Sequence, residues 1–111
     1  MNLITDRTND IVIVRVGETR LMYPSLPEFA NTVTGLIHGG ARKLVIDLTQ
    51  VGYIDSATIG CLMDLYRHAT GAGGALKLAG VQKRVMTMLT LTGCDKFLEI
   101  HADEPTAVNS F

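Results

Sequence analysis

The sequence has little cysteine, little net charge and no long hydrophobic run, and each scarcity excludes a class of protein. Its two cysteines, Cys61 and Cys94, lie far apart and outside any C-x-x-C pair. This spacing argues against a disulfide framework or a zinc site and fits a reducing cytosol. No segment approaches the roughly 18 consecutive apolar residues of a spanning helix, and the amino-terminal residues lack the apolar core of a signal peptide. We therefore predict a cytoplasmic protein that does not insert into a membrane.

Patterns typical of enzymes and of nucleic-acid-binding proteins are also missing. The formal charge is −1, with Lys and Arg dispersed along the chain, which argues against nucleic acid as a partner. The chain has no G-x-x-x-x-G-K-[ST] segment, and Ser56 does not lie in a G-x-S-x-G motif. The histidines His38, His68 and His101 fall on separate predicted elements without metal-ligand spacing. We therefore predict neither an enzyme nor a bound metal or cofactor.

Apolar residues make up 47% of the 111 residues, enough for the core of one domain covering residues 1–111. The predicted strands cover residues 3–5, 11–16, 44–48, 75–79 and 97–100. Four helices are predicted to alternate with them, beginning near Ser25, Ser56, Gly80 and Asp103. The first two strands are predicted to pair as a hairpin, with the outer strand at the sheet edge. This alternation indicates an α/β domain with right-handed parallel crossovers.

The first predicted helix carries its own start and stop signals. Ser25 is expected to cap it, with Pro27 in the first turn and Glu28 completing a capping box. The pair Gly39 and Gly40 is expected to end it.

The rest of the chain is organised around the second predicted helix and the turn before it. After the buried strand at residues 44–48 and the apolar pair Tyr53 and Ile54, Asp55 and Ser56 precede a change to helical periodicity. Five apolar residues then fall on one helical face: Ile59, Leu62, Met63, Tyr66 and Ala69. Ser56 is therefore predicted to lie at a helix start, where backbone N–H groups are free and a phosphate would be tolerated.

The opposite side of this helix is predicted to face solvent. It contains Ala57, Cys61, Asp64, Leu65 and His68, and Gly60 lies close to it. A glycine inside a helix costs about 1 kcal/mol relative to alanine, so Gly60 suggests that something approaches closely. A phosphate on Ser56 would add close to two negative charges beside this side. Two interpretations remain open at this point: a docking surface controlled by charge, or a simple N-cap with Cys61 and Leu65 covered by a loop.

The sequence resembles the STAS domains, the family of anti-sigma-factor antagonists. The resemblance covers nearly the whole chain and rests on five segments: residues 44–48, residues 53–60, residues 76–81, residues 91–94 with Phe97, and residues 106–108. It implies a mixed central sheet of about four to five strands with interspersed helices, and a regulatory role. In this family the serine after the aspartate is phosphorylated by a partner anti-sigma factor that is itself a serine kinase, and Ser56 is the matching position.

The resemblance also implies a partner cycle. The unphosphorylated antagonist binds the kinase and frees the sigma factor, and a serine phosphatase restores the active form. We expect the partner to contact the turn and the outward side of the helix, together with one residue of an earlier turn: Asp55, Ala57, Thr58, Gly60, Cys61, Asp64, Leu65, His68 and Arg20.

Two positions depart from the family pattern. Arg20 stands where the family has an aspartate in a Gly-Glu-x-Asp turn, and Thr58 stands where it has a glycine. Arg20, if near Ser56, is expected to stabilise a phosphate there, whereas Thr58 is expected to add bulk at a contact position.

Two other functions were weighed against the switch. In the first, the chain is an interaction module that is not phosphorylated, such as a stressosome-type scaffold or a subunit of a lipid-transport complex. In the second, it is a small hydrolase using Ser56, for which no histidine has a plausible route to the hydroxyl.

Overall fold

The structure, a computed structural model, describes residues 1–111. Its strands are β1 (Leu3–Thr8), β2 (Ile11–Val16), β3 (Arg20–Leu21), β4 (Lys43–Asp47), β5 (Tyr53–Ile54), β6 (Ala75–Ala79) and β7 (Glu99–His101). Its helices are α1 (Leu26–His38), α2 (Ser56–Gly71), α3 (Lys83–Thr92) and α4 (Glu104–Asn109), with a short 3-10 turn at Cys94–Lys96. None of the helices combines the length and the apolar character needed to span a membrane.

Five strands form the central sheet in the order β1-β2-β4-β6-β7. β1 and β2 pair antiparallel through a tight turn in which Asn9 has a positive φ of 57°. The pairs β2–β4, β4–β6 and β6–β7 are all parallel. The predicted α/β architecture, with a mixed sheet and an outer hairpin strand, is therefore confirmed. β1 continues to Thr8, three residues beyond its predicted end.

Alternation along the inner strands gives the sheet two buried faces. On the larger face, side chains such as Val14, Leu44 and Leu78 pack against α1, α2 and α3 in a cluster of 24 buried residues. Successive side chains of a strand point to opposite faces, so their neighbours Ile13 and Val45 lie on the other face. There they form a small buried cluster of five residues that includes Ala107 of α4.

Because the α4 face buries few apolar side chains, polar contacts contribute to holding α4 in place. Arg15 on β2 makes two hydrogen bonds with Glu104, with Nε–Oε2 at 2.6 Å and Nη2–Oε1 at 2.9 Å. Lys77, nearly buried on β6, lies 2.7 Å from the Glu99 carboxylate and donates to Ser110 at the end of α4. These contacts fasten both ends of α4 to the sheet.

A second sheet was not expected from the sequence. β3 and β5 each have two residues and pair in parallel, with Arg20 opposite Tyr53 and Leu21 opposite Ile54. Two residues are too few to show strand periodicity, so neither β3 nor its pairing with β5 was predicted. This small sheet places Arg20 beside the segment that leads into α2.

Two local predictions were also wrong. Ser25 does precede α1, but its backbone is already helical (φ −79°, ψ −21°) and its side chain makes no capping hydrogen bond. The Glu28 carboxylate instead faces the Met1 amino group at 3.8 Å, so no capping box forms. The last strand begins at Glu99 rather than at Phe97, which lies outside it with 60% of its surface exposed.

The Glu99→Gln variant is expected to be less stable than the native protein near neutral pH but equally stable near pH 2. Lys77, and then His101, lower the pKa of Glu99 from 4.5 to about 2. Ionised Glu99 therefore stabilises the fold above about pH 4.5, and this stabilisation is lost as the pH falls towards 2. The side chain is 53% exposed, so solvent screening limits the effect to about 1 kcal/mol.

Urea unfolding followed by circular dichroism at about pH 6 and about pH 2 measures this difference. Asp95→Asn is the matched control, since Asp95 is exposed and makes no ion pair. A midpoint difference between Glu99→Gln and the native protein that persists at low pH would contradict the assignment.

Candidate functional site

The site is built on the turn between β5 and α2, where two adjacent polar residues have different roles. Asp55 is extended (φ −121°, ψ −176°) and its Oδ1 accepts a hydrogen bond of 3.0 Å from the backbone N–H of Thr58. This is the geometry of an N-cap. Ser56 is the first residue of α2, is exposed, and its hydroxyl makes no hydrogen bond to another group of the chain. Asp55 is therefore the cap, and the Ser56 hydroxyl is free.

Thr58 does not contribute to the surface, which corrects the prediction that it contacts a partner. Its side chain is fully buried, and its hydroxyl is shared between the backbone carbonyl of Leu21 and the Asp55 carboxylate, the latter at 3.0 Å. The threonine hydroxyl therefore links the first turn of α2 to β3. A glycine at this position would provide neither hydrogen bond.

Leu65 is also buried, so the prediction that it faces outwards was wrong. It is 3% exposed and belongs to the main core cluster. The buried side of α2 includes Thr58, Leu62, Leu65 and Ala69, and is rotated relative to the predicted stripe because α1 packs along this edge of the helix. Met63 and Tyr66, expected in the buried stripe, are only partly buried.

A groove of about 550 Å³ runs between α1 and α2 and extends to Ala57, the residue after Ser56. Six of the predicted contact residues line the α2 wall of this groove, although Leu65 contributes almost no exposed surface: Ala57, Gly60, Cys61, Asp64, Leu65 and His68. No atom lies within 4 Å of a Cβ built on Gly60, so this position is open space above the helix. The structure brings these residues together, and their contact with a partner stays a prediction.

The opposite wall of the groove contains residues that sequence reasoning missed. Tyr23 lies there with 64% of its surface exposed, next to Leu26 and Pro27 at the start of α1. Tyr53, on β5 and three residues before Ser56, is 41% exposed. Exposed tyrosines are enriched in protein interfaces. A tyrosine shortly before each of two predicted helix starts, Ser25 and Ser56, is the signal that could have identified them.

Arg20 lies next to the start of α2. Leu21 and its partner Ile54 are both fully buried. Because side chains alternate along a strand, Arg20 and the opposite residue Tyr53 face outwards. The carbonyl of Leu21, the residue after Arg20, accepts a hydrogen bond from the Thr58 hydroxyl of α2. Arg20 is exposed and makes no ion pair. The strand pairing therefore places Arg20 opposite Tyr53, three residues before Ser56 in the chain.

The ionisable groups of the groove do not form a catalytic set. Burial, and then the charge of Asp64, raise the pKa of the Cys61 thiol to about 11, so it is protonated and a poor nucleophile at neutral pH. His68 lies twelve residues after Ser56 on the same helix, about 18 Å along its axis. Its ring is instead 6.5 Å from that of His38 at the end of α1. No histidine is placed to activate the Ser56 hydroxyl.

Comparisons with known proteins match this arrangement to one family. The STAS domain model matches residues 2–107. The chain is 30% identical over 105 residues to the anti-sigma-B factor antagonist of Bacillus subtilis, covering 92% of this chain and 94% of that relative.

Solved structures show the same fold. An anti-sigma factor antagonist from Mycobacterium paratuberculosis superposes with a TM-score of 0.88 at 17% identity, covering 98% of this chain and 92% of the other. The antagonist SpoIIAA in its unphosphorylated form gives a TM-score of 0.83 at 16% identity, covering 98% and 95%. The phosphorylated form of SpoIIAA, described as a Bacillus cell fate determinant, gives 0.76 at 15% identity, covering 98% of both chains. On the sequence match and the shared fold together, the chain belongs to the STAS domain family.

Proposed function

We propose that this protein is an anti-sigma factor antagonist that binds an anti-sigma factor with serine kinase activity and is switched off by phosphorylation of Ser56. The observation that carries the proposal is the free, exposed hydroxyl of Ser56 beside a groove, with the capping role taken by Asp55. A kinase reaches such a hydroxyl without opening the fold. The similarity to an anti-sigma-B factor antagonist supports this class of partner.

The proposed docking surface consists of Ser56 and the residues that surround it on both sides. Its members are Tyr23 and Tyr53, Arg20, Asp55, and the groove residues Ala57, Gly60, Cys61, Asp64 and His68. The tyrosines supply contact area at low entropic cost, and Ala57 and Gly60 leave the α2 wall smooth enough for close approach. A phosphate placed among these residues carries close to two negative charges, which a bound partner would have to desolvate and tolerate.

In this scheme the unphosphorylated protein occupies the kinase and releases the sigma factor, and a serine phosphatase reverses the modification in the cytoplasm. The protein itself supplies no catalytic group. This agrees with the raised pKa of Cys61 and with the distance from Ser56 to the nearest histidine of α2.

One prediction of this proposal tests whether Asp55 or Ser56 caps α2. Asp55→Ala removes the acceptor for the Thr58 N–H and is expected to lower the free energy of unfolding by about 1 kcal/mol. Ser56→Ala removes no intramolecular hydrogen bond and is expected to change it by less than about 0.5 kcal/mol. Urea unfolding followed by circular dichroism measures both. A loss for Ser56→Ala as large as that for Asp55→Ala would assign Ser56 a capping role.

The second prediction tests the modification. Incubation with the kinase partner and ATP is expected to add one phosphate to Ser56, located by mass spectrometry, and none to Ser56→Ala. Ser25→Ala is the matched control, because Ser25 also lies at the start of a helix without making a capping hydrogen bond. This variant should be phosphorylated at Ser56 as the native protein is. Stable partner binding by a chain that remains unmodified at Ser56 would instead support the constitutive interaction module.

The third prediction concerns Gly60. Gly60→Ala is expected to stabilise the fold by about 0.5–1 kcal/mol, because the added methyl group meets no neighbour and the substitution raises helix propensity. Binding of the kinase should nevertheless weaken by several-fold if the partner approaches the helix here.

Gly35→Ala is the matched control for this experiment. Gly35 is also inside a helix, in α1, and is also open to solvent. It should give the same stabilisation in urea unfolding with unchanged affinity in isothermal titration calorimetry. Equal affinities for the two variants would remove Gly60 from the proposed docking surface.

A further inference from the structure

The inference concerns the charge balance at Ser56 after modification, and it rests on the proposed function. Asp55 lies next to Ser56 in the chain, and its Oδ1 is held by the backbone N–H and hydroxyl of Thr58, each at 3.0 Å. The carboxylate therefore cannot turn away without breaking the cap. A phosphate on Ser56 would add nearly two negative charges beside this fixed negative charge. A nearby cation would offset this repulsion and stabilise the phosphorylated state.

Strand pairing places one exposed cation near the turn that contains Asp55 and Ser56. Arg20 lies opposite Tyr53 in the β3–β5 pair, and Ser56 follows Tyr53 by three residues. Adjacent strands are separated by about 4.8 Å, so Arg20 lies beside the segment that carries Ser56. The Thr58 hydroxyl also donates a hydrogen bond to the carbonyl of Leu21, which ties the first turn of α2 to the residue that follows Arg20.

Arg20 also has no competing partner. Arg15, Lys43, Arg67 and Lys77 each make an ion pair with a carboxylate of the chain, whereas Arg20 makes none. Its guanidinium presents a planar set of donors that matches phosphate oxygens in a bidentate arrangement.

We propose that Arg20 is the counter-cation for a phosphate on Ser56, forming an ion pair across the β3–α2 junction that stabilises the phosphorylated state. The pair places the phosphate against the protein's own surface and screens it from Asp55. It also hinders removal of the phosphate, because a phosphatase must first displace the guanidinium. Arg20 is thus a residue that sets how long the modified state lasts.

The test uses full-length protein carrying phosphoserine at position 56, incorporated during synthesis by genetic code expansion. Phosphorus NMR then follows the second pKa of the phosphate, which is about 6 in a free phosphoserine. A neighbouring cation favours the dianion and lowers this pKa. Arg20→Ala is expected to raise the pKa by about half a unit or more, which is about a threefold change in proton affinity, and Arg20→Lys to give a smaller rise.

Arg7→Ala is the matched control, because Arg7 is exposed on the edge strand β1 and makes no ion pair. It should leave the phosphate pKa unchanged. The difference between the native chain and Arg20→Ala should also shrink in 1 M salt, where the screening length is about 3 Å. Removal of the phosphate by a general serine phosphatase should be several-fold faster in Arg20→Ala than in Arg7→Ala.

Equal phosphate pKa values in the native chain and in Arg20→Ala would overturn the proposal. Because phosphoserine is incorporated during translation, this result does not depend on any kinase. A failure of the kinase assay therefore overturns the proposed function alone, whereas a failure of the titration overturns the role of Arg20 alone.

Discussion

The site depends on one buried hydroxyl, that of Thr58. It connects the first turn of α2 to the carbonyl of Leu21 on β3 and also lies 3.0 Å from the Asp55 carboxylate. A buried hydroxyl without partners would be costly, so these contacts hold α2, β3 and the capping turn in one arrangement. The exposure of Ser56 and the position of Arg20 both follow from this arrangement.

The two faces of the central sheet divide structural and functional roles. The face covered by α1, α2 and α3 buries 24 residues, which is enough to keep the two walls of the groove at a fixed separation. The opposite face buries five residues in its own cluster and is held to α4 in addition by the Arg15–Glu104 ion pair and by the hydrogen bonds from Lys77 to Ser110. The proposed docking surface is therefore carried by the well-packed half of the molecule, where a rigid surface lowers the entropic cost of binding.

The accuracy of the sequence-based predictions depended on how many residues of each element carry a recognisable pattern. β2 and β6 were predicted with the bounds observed, because five or six residues of apolar or β-branched character suffice to define a strand. β3 was missed because two residues show no period. The position of Ser56 at the start of α2 followed from the change of periodicity and required no long-range information.

The errors within the site have a single physical source. The outward side of α2 was placed by helical periodicity, opposite the predicted apolar stripe, and this left Leu65 outside the stripe. The contact of α1 with the Leu65 edge of α2 is a tertiary interaction, and helical periodicity alone does not reveal which neighbour a helix meets. Burial of Thr58 likewise depends on the Leu21 carbonyl, 37 residues away in sequence.

The geometry also favours an electrostatic switch over a conformational one. The Ser56 hydroxyl makes no contact that a phosphate would break, and the cap beside it is formed by Asp55 and Thr58. Modification therefore has no evident means of unwinding α2 or of moving the groove walls. Like charges brought together at an interface cost several kcal/mol, and about 1.4 kcal/mol already changes an affinity tenfold. A change in charge on an otherwise unaltered surface is thus large enough by itself to separate the bound and free states of the proposed complex.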